Sequence, residues 1–98
     1  MNMQAMLQQA QKLQKEVMKE KKAIDEKIYT GNSSFVTVEV LGNKKISRIK
    51  IEKDKLEQED IEMLEDLVLI SINDAMAKID EDTEKKLGKY TNGMPGLF

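Results

Sequence analysis

Lys12, Lys15, Lys19 and Lys22 recur at offsets of three, seven and ten residues, a spacing that gathers four ammonium groups into an arc of about 80° on a helix. A row of this kind can track phosphates, each Lys displacing one condensed counterion from a nucleic acid. Gln4 and Gln8 extend the stripe as uncharged hydrogen-bonding groups, Glu26 ends it, and residues 12 to 22 hold five Lys against two Glu. The alternative is a plain solvated face, which every amphipathic helix has. A second basic group, Lys44, Lys45, Arg48 and Lys50, shares its segment with Glu39, Ile46 and Phe35, so a mixed sheet face accounts for it. Stacking of single-stranded bases is not indicated, because Tyr29, Phe35, Tyr90 and Phe98 do not interleave with these cations.

Other chemistries find no support. The chain has no Cys and no His, which excludes disulfides, thiolate sites and imidazole catalysis. Ser33, Ser34, Ser47 and Ser71 therefore lack an activating base, and no Gly-rich phosphate loop exists. Glu57, Glu59, Asp60, Glu62, Glu65 and Asp66 read as a dipole-favoured helix start whose carboxylates point outward, not as a metal cage. No enzyme, cofactor or metal is expected. No apolar run approaches the ~20 residues of a membrane span, and Met1 to Ala10 lacks the basic leader and apolar core of a signal peptide. A soluble cytoplasmic protein is expected. Residues 1 to 55 carry twelve Lys or Arg against seven acids, and residues 56 to 98 carry four Lys against eleven acids. Charge separated in this way is consistent with a polyanion on one surface.

The elements that would position the Lys row can be read from periodicity. Met3, Ala10, Val17 and Ile24 fall seven apart, with Met6, Leu7 and Leu13 beside them, predicting a helix from Met3 to about Lys27 whose apolar face lies opposite the lysines. A short strand through Ile28 and Tyr29 leads into a turn-rich passage, Thr30-Gly31-Asn32-Ser33-Ser34. Val36, Val38 and Val40 then alternate with Phe35, Thr37, Glu39 and Leu41, and Gly42-Asn43-Lys44-Lys45 signals a hairpin with Asn43 at positive φ. Pairing Leu41 with Ile46 sets Glu39 against Arg48, Val38 against Ile49 and Val36 against Ile51.

A last helix is predicted from Glu57 to Leu87, with Gly88 as its stop and an irregular tail over 88–98 that contains Pro95. Some 30 residues make about 45 Å of helix, too long for a compact 98-residue globule with a radius of gyration near 13 Å. Within it Leu67, Val68, Leu69, Ile70 and Ile72 lie on every side. A helix apolar all round must be covered all round, and one three-stranded sheet covers one side. The expected fold is therefore α+β: helix, three-stranded antiparallel sheet, long helix, with a second copy of the chain against Leu67, Leu69 and Ile70.

Three segments also carry a family resemblance: Met6-Leu7-Gln8-Gln9-Ala10-Gln11-Lys12; Glu59 to Val68 with Asn73-Asp74-Ala75; and Gly93-Met94-Pro95-Gly96-Leu97-Phe98. Together they resemble the YbaB/EbfC family of bacterial nucleoid-associated proteins over essentially the whole chain, as a single domain of residues 1–98. The resemblance implies an intertwined, tweezer-like homodimer whose helical arms bind double-stranded DNA with loose sequence preference. The loop Gly31-Asn32-Ser33-Ser34 is less Gly-rich than is usual there. No DNA-contacting motif transfers position by position, so Lys12, Lys15, Lys19 and Lys22 are the candidate contacts. The alternative function is an adaptor gripping a replication or recombination protein, for which the acidic balance (pI ≈ 5.2) speaks.

Overall fold

A computed structural model describes residues 2–91, with the side chain of Thr91 not described. The elements run α1 (Met3–Glu26), β1 (Ile28–Ser33), β2 (Val36–Leu41), β3 (Ile46–Ile51) and α2 (Gln58–Thr91). The strands form one antiparallel sheet in the order β1-β2-β3, and α2 lies across its inner face over β1 and β2. Val36, Val38 and Val40 are fully buried beneath it, the outcome their alternation implies.

Tyr29, Gly31 and Ser33 stand opposite Val40, Val38 and Val36, so β1 contributes an inner row of one aromatic and two small residues. The expected turn at Thr30 to Ser34 is instead mostly strand; only Ser34 departs, at φ 52°. The cause is tertiary. A Cβ at Gly31 would stand 1.8 Å from the Ser71 carbonyl oxygen and 2.8 Å from the Ala75 nitrogen. Gly31 is thus the place where α2 backbone touches the sheet, a common reason for glycine inside a strand.

The β2–β3 pairing follows the expected register at Val36–Ile51, Val38–Ile49 and Glu39–Arg48, then slips, so that Val40 and not Leu41 faces Ile46. The hairpin closes at Leu41, whose N–H donates to the Lys45 carbonyl (2.9 Å), leaving a three-residue loop. Lys44, not Asn43, takes the positive φ (71°), and Asn43 instead accepts from the Lys45 N–H (3.0 Å). Ser47 is the extra residue of a separate bulge in β3, its hydroxyl donating to the Glu39 carbonyl (3.1 Å). The slip adds Ile46 to Ile49 and Ile51 on the inner face of β3, beyond the reach of α2, where the three are 46%, 48% and 42% exposed.

The start of α2 is held by Asp60, which accepts from the Glu57 N–H (2.9 Å) and from Lys53 Nζ (2.6 Å), half of a capping box. The helix does not stop at Gly88. It continues to Thr91, so residues 88–91 of the expected tail are helical; the remainder, 92–98, lies outside the described residues. Leu87 is 3% exposed and Tyr90 packs against the core, and this packing outweighs the ~1 kcal/mol that a helical glycine costs. The protomer measures 71 × 19 × 15 Å with a radius of gyration of 19.3 Å, the overhang expected of so long a helix.

Candidate nucleic-acid interface

α1 begins at Asn2, whose side chain accepts from the Gln4 N–H (3.0 Å) as an N-cap. It packs antiparallel to the second half of α2, with Val17 and Ile24 buried at 5% and 3% exposure. Gly42 fixes its far end, since a Cβ there would stand 1.8 Å from the Ile24 carbonyl oxygen. With Val17 and Ile24 turned inward, helical geometry turns Lys12, Lys15, Lys19 and Lys22 outward. All four are exposed, and none is ion-paired among the described residues. Ten residues at 1.5 Å make the row about 15 Å long.

The hairpin cations are differently placed. Lys44 is 3.2 Å from Asp80, Lys50 is 3.9 Å from Glu52, and Arg48 stands across from Glu39. Much of that charge is answered within the protomer, as its mixed composition implies. The acidic start of α2 gathers no metal-binding cluster among the described residues, and none of their helices is long and apolar enough to cross a membrane.

Of the three residues read as a partner-facing seam, Leu67 belongs to the protomer's own core at 9% exposure, whereas Leu69 and Ile70 are 57% and 52% exposed. Two features escaped the sequence reading. One is the place of Ile46 on the inner face of β3, set by the bulge at Ser47. The other is a polar clamp on Asp82, which accepts from the Tyr29 hydroxyl, from Lys86 Nζ (3.0 Å) and from Lys27 Nζ (3.4 Å). These donors, the tyrosine hydroxyl foremost, hold the Asp82 carboxyl down at about 2, while burial first and the carboxylate second push the Tyr29 hydroxyl above its ordinary range. The Asp82–Lys86 spacing was the one visible signal; Tyr29 lies 53 residues away. The clamp ties β1 to α2.

Comparison with known proteins assigns the chain to a family. The model of the YbaB/EbfC DNA-binding family matches residues 1–94. The chain belongs to that family. Nucleoid-associated proteins of Enterococcus faecalis and Ligilactobacillus salivarius are 44% and 40% identical to it, over 98% and 99% of this chain and 94% and 95% of theirs. A nucleoid-associated protein of Lactococcus lactis is 42% identical over 97% of this chain and 98% of its own length. As a YbaB/EbfC member the chain falls in a bacterial nucleoid-associated DNA-binding family and not in a class of enzymes.

Proposed function

We propose that this YbaB/EbfC protein acts as a single-domain homodimer whose α1 arms lay Lys12, Lys15, Lys19 and Lys22 along the phosphates of double-stranded DNA, at the nucleoid in the cytoplasm. The observation that carries the reading is that these four cations, on the helix face opposite Val17 and Ile24, have no ion-pair partner among the described residues. Phosphate contacts position a protein without reading bases, so loose sequence preference follows.

Dimerisation is supported by what the protomer leaves uncovered. Ile46, Ile49 and Ile51 on an edge strand, and Leu69 and Ile70 on α2, are all 42% exposed or more. Asp74 accepts from the Asn32 N–H and Lys78 donates to the Thr30 carbonyl, so that flank of α2 faces β1. The opposite flank carries Leu69, Ile72 and Met76. An apolar strand edge left bare invites pairing or aggregation, and a second copy covers it. Two arms then carry eight row lysines.

A gel shift on several unrelated duplexes tests the assignment. Reversing Lys12, Lys15, Lys19 and Lys22 to Glu abolishes binding on every duplex while the dimer survives, and reversing Lys44 and Lys45 does less. Greater damage from the hairpin change would overturn the arm mechanism. The adaptor reading, in which the arms grip a replication or recombination protein, rests on the exposed Ile61, Met63, Leu69 and Ile70 set among the acids of α2; absence of DNA binding at low salt would favour it.

A further inference from the structure

The two edges of the sheet differ. Along β3 no side chain of the described residues hydrogen-bonds to the strand backbone, so the groups that point away from β2 can meet another strand. Along β1 the corresponding groups are taken up by one turn of α2. Lys78 Nζ donates to the Thr30 carbonyl (2.7 Å), and Asp74 Oδ2 accepts from the Asn32 N–H (3.3 Å). The two side chains are themselves 3.5 Å apart, an ion pair one helical turn long.

This pair offers β1 what an added strand would offer it. A strand docking beside β1 brings an N–H to the Thr30 carbonyl and a C=O to the Asn32 N–H; here the ammonium is the donor and the carboxylate the acceptor. Both are charged, so an incoming strand must break two hydrogen bonds and then bury or displace an ion pair. The contact depends on how α2 is seated. Gly31, between Thr30 and Asn32, touches the α2 backbone at Ser71 and Ala75, and that close approach brings Asp74 and Lys78, on the flank of the same turns, to the strand edge.

We propose that Asp74 and Lys78 lock the β1 edge against further copies of this chain and so hold assembly at two chains. Symmetry supplies the reason. A dimer that covers β3 with a second copy still has two β1 edges, one on each protomer. If these were open, dimer would join dimer edge to edge, and such contacts do not close. With β1 locked, β3 is the one edge left for pairing, and a single two-fold contact uses it up. The inference rests on the dimer reading for what covers β3, and on the contacts of Asp74 and Lys78 alone for the closure of β1.

Asp74→Ala/Lys78→Ala removes the pair and keeps α2 in good helix formers. Light scattering at rising protein concentration is expected to hold the native protein at about twice the 11.2 kDa chain mass, while the variant climbs past that mass. Amide exchange at Asn32, followed by NMR in dilute protein, should quicken about tenfold or more once its acceptor is gone. Native and variant masses that stay equal at every concentration would overturn the proposal, as would an unchanged exchange rate at Asn32. A native protein of one chain mass would refute the dimer reading alone, since growth of the variant beyond the native mass still reports the opened edge. Should the double variant fail to fold, Lys78→Ala, which frees only the Thr30 carbonyl, makes the same comparison of mass.

Discussion

Gly31→Ala tests the seating of α2 on the sheet. The new methyl carbon would stand 1.8 Å from the Ser71 carbonyl oxygen, 2.8 Å from the Ala75 nitrogen and 2.9 Å from the Ser71 carbonyl carbon. All three are backbone atoms, so no side-chain rotation relieves the contact. Carbon atoms in proteins do not approach closer than 3.0 Å in this way, and α2 or β1 must retreat by about 1.2 Å. Ser71, Ala75 and Ile79, at 0–1% exposure, would lose contact together with Val36, Val38 and Val40. Overpacking of a tight core costs about 1–3 kcal/mol, and a backbone clash this close belongs at the upper end, about 3 kcal/mol. For a domain of this size each kcal/mol moves the melting temperature by about 4–8 °C, so a fall of about 12–24 °C is expected. Circular dichroism melts at matched protein concentration measure it. A fall of less than about 4 °C would mean that α2 does not lie on Gly31, and the fold as described would be wrong at its centre.

Further outcomes follow from other parts of the molecule. Ile70 is 52% exposed in the protomer, so Ile70→Glu leaves the core intact but places an unpaired charge in the proposed seam; light scattering should fall from about twice the 11.2 kDa chain mass to that of one chain, and a native protein that is already a folded monomer would refute the dimer. Asp82 has a folded-state carboxyl at about 2, below the ~3.9 of an unfolded chain, so its stabilisation is full above about pH 4 and lost as pH falls towards 2. The melting-temperature gap between native protein and Asp82→Asn should therefore be widest near neutrality and shrink through that window, and a gap unchanged at pH 2 would remove the clamp's role. EDTA should leave the melting temperature unchanged, and a shift of several degrees would reveal a structural metal.

The parts of the fold that were legible in the sequence are those where local pattern and tertiary packing agree. Val36, Val38 and Val40 alternate and are buried; Val17 and Ile24 keep the helical period and are buried, which is enough to send Lys12, Lys15, Lys19 and Lys22 to the outside. Misreadings arose where a neighbour in space decided. Thr-Gly-Asn-Ser resembles a turn until α2 is laid against Gly31, and Gly88 resembles a helix stop until Leu87 and Tyr90 are packed. The slip at Ser47 inserts one extra residue into β3, which residue types alone do not specify. The same slip moves Ile46 to the inner face beside Ile49 and Ile51, so that residue's part of the proposed dimer surface was invisible beforehand. The Asp82 clamp joins residues more than fifty positions apart, and no local spacing announces it.

The central claim is that the α1 row binds DNA through its phosphates, and the salt dependence of affinity measures this most directly. Eight lysines, each neutralising one phosphate, would give log affinity against log salt a slope of about −7. The acids of α2 reduce that figure, so the native protein should show about −3 to −5 on any duplex, and the fourfold reversal of Lys12, Lys15, Lys19 and Lys22 should show no measurable binding. A native slope near zero, or a reversal variant that binds with the native slope, would contradict the claim.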